Sequence, residues 1–332
     1  MPSAAELNVV TGAFGYTGSY IARRLLANGY RVRTLTSHPS RPNEFANRVE
    51  VAPLDFNDPR GLRQSLSGAA ALFNTYWIRF SHGRATFERA IENSRRLIRA
   101  AADAGVRRIV QISIMNPSLD SPLPYFRGKA LVEQAIRRSG LSHAILRPTV
   151  IFGTGDILIN NIAWLLRRFP VFAVPCTGDY RLQPIFVEDL AEQALAAAQV
   201  EENLVQDAVG PETFTFQELV QAIAAAVRSR ATILCVRPGI ALATAHILGW
   251  FTRDVMLTRD EVDGLMSNLL VSSKPPVGRT PFTRWVRENA QHLGKHYASE
   301  LARHYRSSSK RESSGATWLG EGGDTLAGGT AP

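Results

Sequence analysis

The chain has 332 residues, 45% of them hydrophobic, with 38 Lys and Arg against 29 Asp and Glu and a formal net charge of +9. That is enough apolar material for one large α/β domain, or for a nucleotide-binding domain with a small lobe beside it. The only cysteines, Cys176 and Cys235, exclude a disulfide framework and a cysteine metal centre, and point to a reducing compartment.

The N-terminus "MPSAAELNVV" has no basic segment followed by an apolar core, so no secretory signal is read and a cytoplasmic location is expected. "LNVVT" is a short apolar run, and Thr17 to Asn28 places apolar residues at helical spacing. "YRVRTLT" and "RVEVAPLD" read as a second and third strand, "PRGLRQSLSG" as a helix and "AALFNTY" as a fourth strand. A long helix, "TFERAIENSRRLIRAAADAG", stops at Gly105. "RRIVQIS" is a fifth strand, "YFRGKALVEQAIRRSG" a helix closed by glycine and "SHAILRP" a sixth strand. Strands alternating with helices in this way predict a Rossmann-type α/β fold with a doubly wound parallel sheet.

Past Thr149 the alternation loosens into helices near "INNIAWLLRRF", "VEDLAEQALAAAQ" and "TFTFQELVQAIAAAV", with short strands at "RLQPIFV" and "ATILCVRP". The expected division is a dinucleotide domain over residues 5–175, to which 180–200 returns, and a mostly helical C-terminal substrate lobe over 201–306. The apolar run from Gly239 to Phe251 is too short to span a bilayer, which takes ~20 residues. A buried helix is the expectation and peripheral membrane contact the alternative. The basic excess gathers late, in "RWVRENAQHLGKHYASELARHYRSSSKRE", with no zinc, helix-turn-helix or RNA-recognition signature, so no nucleic-acid partner is expected. Residues 307–332, rich in Ser, Gly and Thr, are expected to be disordered.

Between the first strand and its helix stands T-G-x-x-G-x-x-G, with Gly12, Gly15 and Gly18. Strand, glycine turn and helix together form a dinucleotide-binding turn. Gly12 permits the tight turn, Gly15 lets the backbone approach a pyrophosphate, and Gly18 lets the helix pack closely. The helix N-terminus offers unpaired N–H groups and the positive end of its dipole. Phe14, Tyr16 and Thr17 join the glycines as expected cofactor contacts. The second strand ends "TLTSHPSRP", without the carboxylate that accepts a ribose 2′-hydroxyl. Ser37, His38 and Arg41 stand there instead, with Arg33 earlier on the strand, so NADP(H) is expected and NAD(H) is the alternative. Asp55 either accepts from an adenine amino group or caps the next helix, a role for which Asp58 and Pro59 also qualify.

Tyr125 and Lys129 lie at i and i+4 on the helix after the fifth strand, on one face. A phenol titrating near pH 10 is a poor proton carrier at neutrality, and a neighbouring ammonium would lower its pKa. Tyr125 is then the expected acid or base toward a carbonyl or alcohol oxygen, with Lys129 as its partner and as a hydrogen-bond donor to the nicotinamide ribose.

At this point the chain resembles the short-chain dehydrogenase/reductase superfamily, in its extended and atypical branches. The resemblance rests on TGAFGYTG, on Tyr125-x-x-x-Lys129, on Asn93 before the fifth strand, on Arg147-Pro148 with Gly153, and on "VEDLA" around Asp189. It implies that Pro148 lies along the nicotinamide and that Thr75 borders the cofactor. It extends later, through "LTRDEVDGLMSNLLVSS", to proteins related to the NAD(P)H-binding accessory subunit of respiratory complex I and to NmrA-like and divinyl-reductase-like groups. It also supplies Ser113 as the serine closing the fifth strand. Ser113 aligns with the first of the family's serine pair, Ile114 stands where the second is expected, and Tyr125 follows only twelve residues later. The donor that polarises a substrate carbonyl is therefore unassigned, with Thr75 and Asn116 as substitutes.

The favoured function is a reductase or dehydrogenase acting on a small carbonyl or alcohol. The alternative is a protein that binds NADPH as sensor, assembly or accessory factor without turnover. A nucleotide-sugar epimerase or dehydratase ranks third, because the substrate loop is short. Tyr76, Trp77 and Phe80 after the fourth strand, and Trp164 to Leu166, either line a substrate pocket or pack under the small lobe. Neither the substrate nor the oligomeric state is legible.

Overall fold

The computed structural model describes residues 6–304 other than Cys176; the predicted disordered tail lies outside the described residues. The nucleotide-binding half follows the predicted alternation. β1 (Leu7–Thr11) leads into α1 (Tyr16–Ala27), then β2 (Arg31–Thr36), β3 (Val49–Pro53), α2 (Pro59–Leu66) and β4 (Ala71–Asn74). α3 (Phe87–Asp103), β5 (Arg108–Ile112), α4 (Pro124–Arg138) and β6 (Ser142–Pro148) follow. The local chemistry explains the boundaries. Asp58 caps α2 by accepting from the Gly61 N–H at 3.0 Å, with Pro59 at the first helical position, and Thr86 caps α3 through the Arg89 N–H.

The remainder runs β7 (Ile151–Phe152), α5 (Leu158–Arg168), β8 (Val171–Pro175), β9 (Arg181–Leu182), β10 (Ile185–Phe186), α6 (Val187–Gln199) and β11 (Leu204–Ala208). It continues through β12 (Phe214–Thr215), α7 (Phe216–Ala226), β13 (Thr232–Val236), α8 (Pro238–Thr252), α9 (Arg259–Met266), α10 (Phe282–Glu288) and α11 (Glu300–His304). Among the described residues no helix is long and apolar enough to cross a membrane.

The central sheet has seven strands in the order β11-β6-β5-β4-β1-β2-β3, all parallel. Strand order reverses between β1 and β4, so the crevice beyond their C-terminal ends is where this architecture places a ligand. One apolar layer joins the sheet to α1 and α6, through residues such as Ile21, Leu25, Leu190 and Ala194. A second joins it to α2, α3 and α4, through Leu62, Leu97 and Val132. A third core, around Phe152, Ile162, Leu219 and Trp285, holds the small lobe.

Two boundaries differ from expectation. β11 lies beyond residue 201 yet is the seventh strand of the main sheet, hydrogen-bonded along β6 from Ala144 to Pro148. "LVQDA" carries too little apolar alternation to announce itself as a strand, and β6 offers the free edge that recruits it. Conversely α5 and β8 fall before residue 175 but belong to the lobe, where β8 pairs with β13 and α5 packs in the lobe core.

Candidate active site

Three backbone facts define the turn after β1. Gly12 adopts φ +68°, a left-handed conformation that side chains disfavour, and its N–H donates to the Leu35 carbonyl at 2.9 Å. A Cβ on Gly18 would lie 2.2 Å from the Gly12 carbonyl oxygen, so α1 presses directly on the turn. Gly15 caps α1 with no side-chain hydrogen bond, which leaves N–H groups of the first helical turn for an external anion. These N–H groups suit a dinucleotide pyrophosphate, and any larger residue at position 18 would push α1 away from the turn.

The flanking residues sort more finely. Phe14 stacks on Phe45. Thr17 stands in the first turn of α1. Tyr16 packs against Gly153 and Gly155, and its buried hydroxyl has no hydrogen-bond partner. In the same corner Asp156 accepts from the Ile159 N–H at 2.8 Å through one oxygen, while the other is buried without a partner. Burial pushes the Asp156 carboxyl up to about 7. Thr75, at the end of β4, donates its hydroxyl to the Thr11 carbonyl at 2.6 Å and lies beside Gly12. Pro148 is buried at the end of β6, its carbonyl taken by the Met115 N–H at 2.8 Å. Asp55 is exposed beyond β3 and accepts from the Asn57 N–H, while Asp58 does the capping.

Past β2, Ser37 and His38 are exposed and bonded to each other at 3.0 Å. Arg41 donates to the main-chain carbonyl of Arg303, and the Arg303 guanidinium donates to the Gly155 carbonyl at 2.6 Å. α11 thereby ties the loop after β2 to the loop after β7, on either side of the α1 N-terminus. Sequence reasoning missed Arg303, because contacts across 262 residues leave no local signal. Arg33 does not join this cluster. It is spent on the Ser65 and Ser67 carbonyls and on Glu50, because alternation along β2 turns it toward β3 and α2.

The Tyr125 corner departs most from expectation. Lys129 is buried; its ammonium donates to the Ile112 carbonyl at 2.9 Å and lies 4.9 Å over the Trp77 ring. Burial lowers its pKa to about 7, against the pull of Glu133. Trp77 lies flush on α4, since a Cβ on Gly128 would sit 2.8 Å from its ring, and it also meets Tyr125 edge-on. The expected lowering of the Tyr125 pKa by Lys129 is therefore wrong. Burial first, then the Glu261 carboxylate, raise that pKa above the ordinary phenol value, with Arg79 opposing and Glu300 adding to the rise. No protein hydrogen bond engages the Tyr125 hydroxyl among the described residues.

Ser113 is corrected as well. Its hydroxyl donates to Glu133 at 2.6 Å in a buried network that also holds Arg147, whose guanidinium grips both Glu133 oxygens. Such a serine is a strut between β5, α4 and β6, not a donor waiting for a carbonyl. Asn116 is likewise taken, donating to the Leu269 carbonyl at 2.9 Å. Asn93 donates to the Tyr76 hydroxyl, and Asp189 binds the Arg279 and Thr280 N–H groups, so both brace the frame. Phe80 is buried, and Trp164 meets Phe169 and Tyr297 edge-on.

Arg79, unnoticed in the sequence, organises this corner. It pairs with Glu261 of α9 at 2.5 Å and with Glu300 of α11 at 3.3 Å, and donates to the Met256 carbonyl. Asp254 then caps α11 through the Glu300 and Leu301 N–H groups. Among the described residues no cluster of His, Cys, Asp and Glu would hold a metal ion.

Comparison with known proteins agrees with this geometry. Residues 12–156 match the family model described as NAD(P)H-binding. Mitochondrial subunit 9 of the NADH dehydrogenase [ubiquinone] 1 alpha subcomplex from Arabidopsis thaliana is 24% identical over 283 residues, covering 79% of this chain and 70% of its own. Ceramide reductase from Caulobacter vibrioides is 28% identical over 245 residues, covering 73% and 77%. In fold, the NADPH-dependent quinone oxidoreductase of Escherichia coli, solved with NADPH, superposes with a TM-score of 0.70 at 20% identity over 86% of this chain and 99% of that one. Over residues 12–156 the chain thus resembles NAD(P)H-binding proteins, and its fold is that of NAD(P)-binding reductases.

Proposed function

We propose that this protein is an NADPH-dependent reductase of a carbonyl compound, with Tyr125 as the proton donor. The observation that carries the reading is the state of Tyr125: a partly buried phenol packed against the lobe core, its pKa raised above the ordinary value and its hydroxyl in no protein hydrogen bond among the described residues. A protonated phenol serves the reductive direction, giving its proton to the oxygen of the carbonyl; alcohol oxidation would need the phenolate. When bound, the nicotinamide supplies the hydride. The turn at Gly12, Gly15 and Gly18 holds the pyrophosphate, while Ser37, His38 and Arg41 favour a 2′-phosphate over a bare ribose. Lys129, committed to Ile112 and Trp77, positions α4 rather than tuning the phenol. Arg79 holds α9 and α11 against the corner and excludes water from it.

A second reading, NADPH binding without turnover, is favoured by one observation: Ser113 and Asn116, the donors expected to polarise a carbonyl beside Tyr125, are both committed elsewhere. Steady-state oxidation of NADPH across a panel of aldehydes, ketones and quinones separates the two. The reductase reading expects at least one carbonyl to accelerate NADPH consumption, with NADH a poorer donor. Tight NADPH binding with no acceleration by any acceptor would establish the second reading instead.

A further inference from the structure

Ten large apolar side chains are exposed among the described residues, and four of them sit on α8: Ile240 at 54%, Ile247 at 59%, Trp250 at 76% and Phe251 at 71%. Their spacing puts them on one stripe of the helix, with the Trp250 and Phe251 rings 5.0 Å apart at its end. From Arg237 to Arg253 the sequence holds no carboxylate and has an arginine at each end. A soluble helix normally turns such a stripe inward.

The opposite stripe of α8 is also apolar, but it faces a void. Ala241, Ala245 and Leu248 roof a cavity of about 300 Å³ whose other walls come from α5, β8 and α9. Its polar groups gather around Arg79, Asp254, Tyr297 and Glu300, of which Arg79 and Glu300 act electrostatically on Tyr125. A second hollow, of about 590 Å³, is lined by Trp250 and Phe251 and shares Ala245, Val255, Met256 and Leu257 with the first. The two hollows thus share one wall, largely apolar, between the exposed aromatic pair and the charged end of the cavity.

We propose that α8 docks this protein on an anionic lipid bilayer, and that the cavity behind it takes the apolar chain of a membrane lipid with its oxygen-bearing end toward Arg79, on the side of the Tyr125 corner. The lipid's being the substrate rests on the reductase reading above; the docking does not. An aromatic pair flanked by cations suits the headgroup boundary, where rings insert and guanidiniums meet phosphates. The net charge of +9 adds attraction to an anionic surface. A second copy suits the stripe less well, since two antiparallel α8 helices would set Arg237 of one against Arg253 of the other.

The test uses the full chain and vesicles of phosphatidylcholine with or without phosphatidylglycerol. Co-sedimentation is expected with the anionic vesicles, at least tenfold weaker after the paired substitution Trp250→Ser and Phe251→Ser, and weaker in high salt. No sedimentation at any composition, sedimentation indifferent to that pair, or a dimer that the pair dissociates would overturn the docking. For the cavity the probe is cis-parinaric acid, displaced by straight-chain alcohols. Affinity is expected to rise about fourfold per added methylene, and Leu248→Trp is expected to abolish probe binding. Affinity that ignores chain length in the unaltered protein overturns the cavity assignment, even if Leu248→Trp fails to fold. NADPH oxidation across the carbonyl panel is followed separately, so loss of the reductase reading would show there and leave the vesicle and probe results standing.

Discussion

The turn at the mouth of α1 and the corner around Tyr125 share one fold but differ in what holds them. In the turn the backbone does the work: Gly12 needs its left-handed φ, Gly15 and Gly18 sit tight against the Gly12 carbonyl, and no side chain competes with a ligand for the first N–H groups of α1. In the corner side chains do the work, and most are already committed to one another: Lys129 to Ile112 and Trp77, Ser113 to Glu133, Arg79 to Glu261 and Glu300. A site built from backbone tolerates change around it and none within it. A site built from side-chain partnerships can lose one catalytic contact after another while keeping its shape.

That contrast is sharpest at Gly18. Gly18→Val is expected to cost at least a hundredfold in NADPH affinity, because its Cβ would meet the Gly12 carbonyl oxygen at 2.2 Å. Calorimetry with a parallel thermal melt separates lost affinity from lost folding, and a variant that binds normally would show that the turn is not the cradle. Ser113→Ala leaves buried Glu133 one donor short and is expected to lower stability by ~1–3 kcal/mol in urea denaturation, with turnover of the folded protein unchanged. A large fall in kcat at unchanged stability would return Ser113 to the chemistry.

Titration gives a smaller effect with a definite sign. Lys129 titrates near 7 in the folded chain and at 10.5 when unperturbed, so between those values the unfolded chain holds the extra proton. Its contribution is whole above pH 10.5 and is lost as the pH falls to 7. Lys129→Met should therefore gain in thermal midpoint relative to the unaltered protein at pH 6, and fall behind at pH 10. A difference independent of pH would mean that Lys129 is not held near neutrality. Asp156 runs the other way, its contribution whole below pH 3.8 and lost as the pH rises to 7. Arg303→Ala, which unties α11 from Gly155, is expected to raise the NADPH dissociation rate only severalfold, read by stopped-flow fluorescence. An unchanged rate would place α11 outside the path of the cofactor.

The same contrast explains what the sequence made legible. The turn is written in consecutive residues, so Thr11 to Gly18 could be read directly, and the strands from Leu7 to Pro148 followed from local periodicity. The corner depends on partners far apart in the chain. Nothing near Ser113 announces that Glu133 and Arg147 will claim it, nor anything near Lys129 that the Trp77 ring will lie beneath its ammonium. β11 escaped notice for a related reason: a polar strand gains its place from the free edge of β6, not from its own pattern. Arg79 gains its role only where α9 and α11 fold back onto it, far along the chain.

The central claim is that one phenol gives a proton beside a nucleotide held by backbone amides. Its most direct measurement pairs NADPH calorimetry with NADPH oxidation on Tyr125→Phe, using a carbonyl that the unaltered protein accepts. The account predicts NADPH affinity within about twofold and turnover reduced ~10²–10⁴-fold. Unchanged turnover in the phenylalanine variant, or affinity that falls in step with turnover, would contradict it.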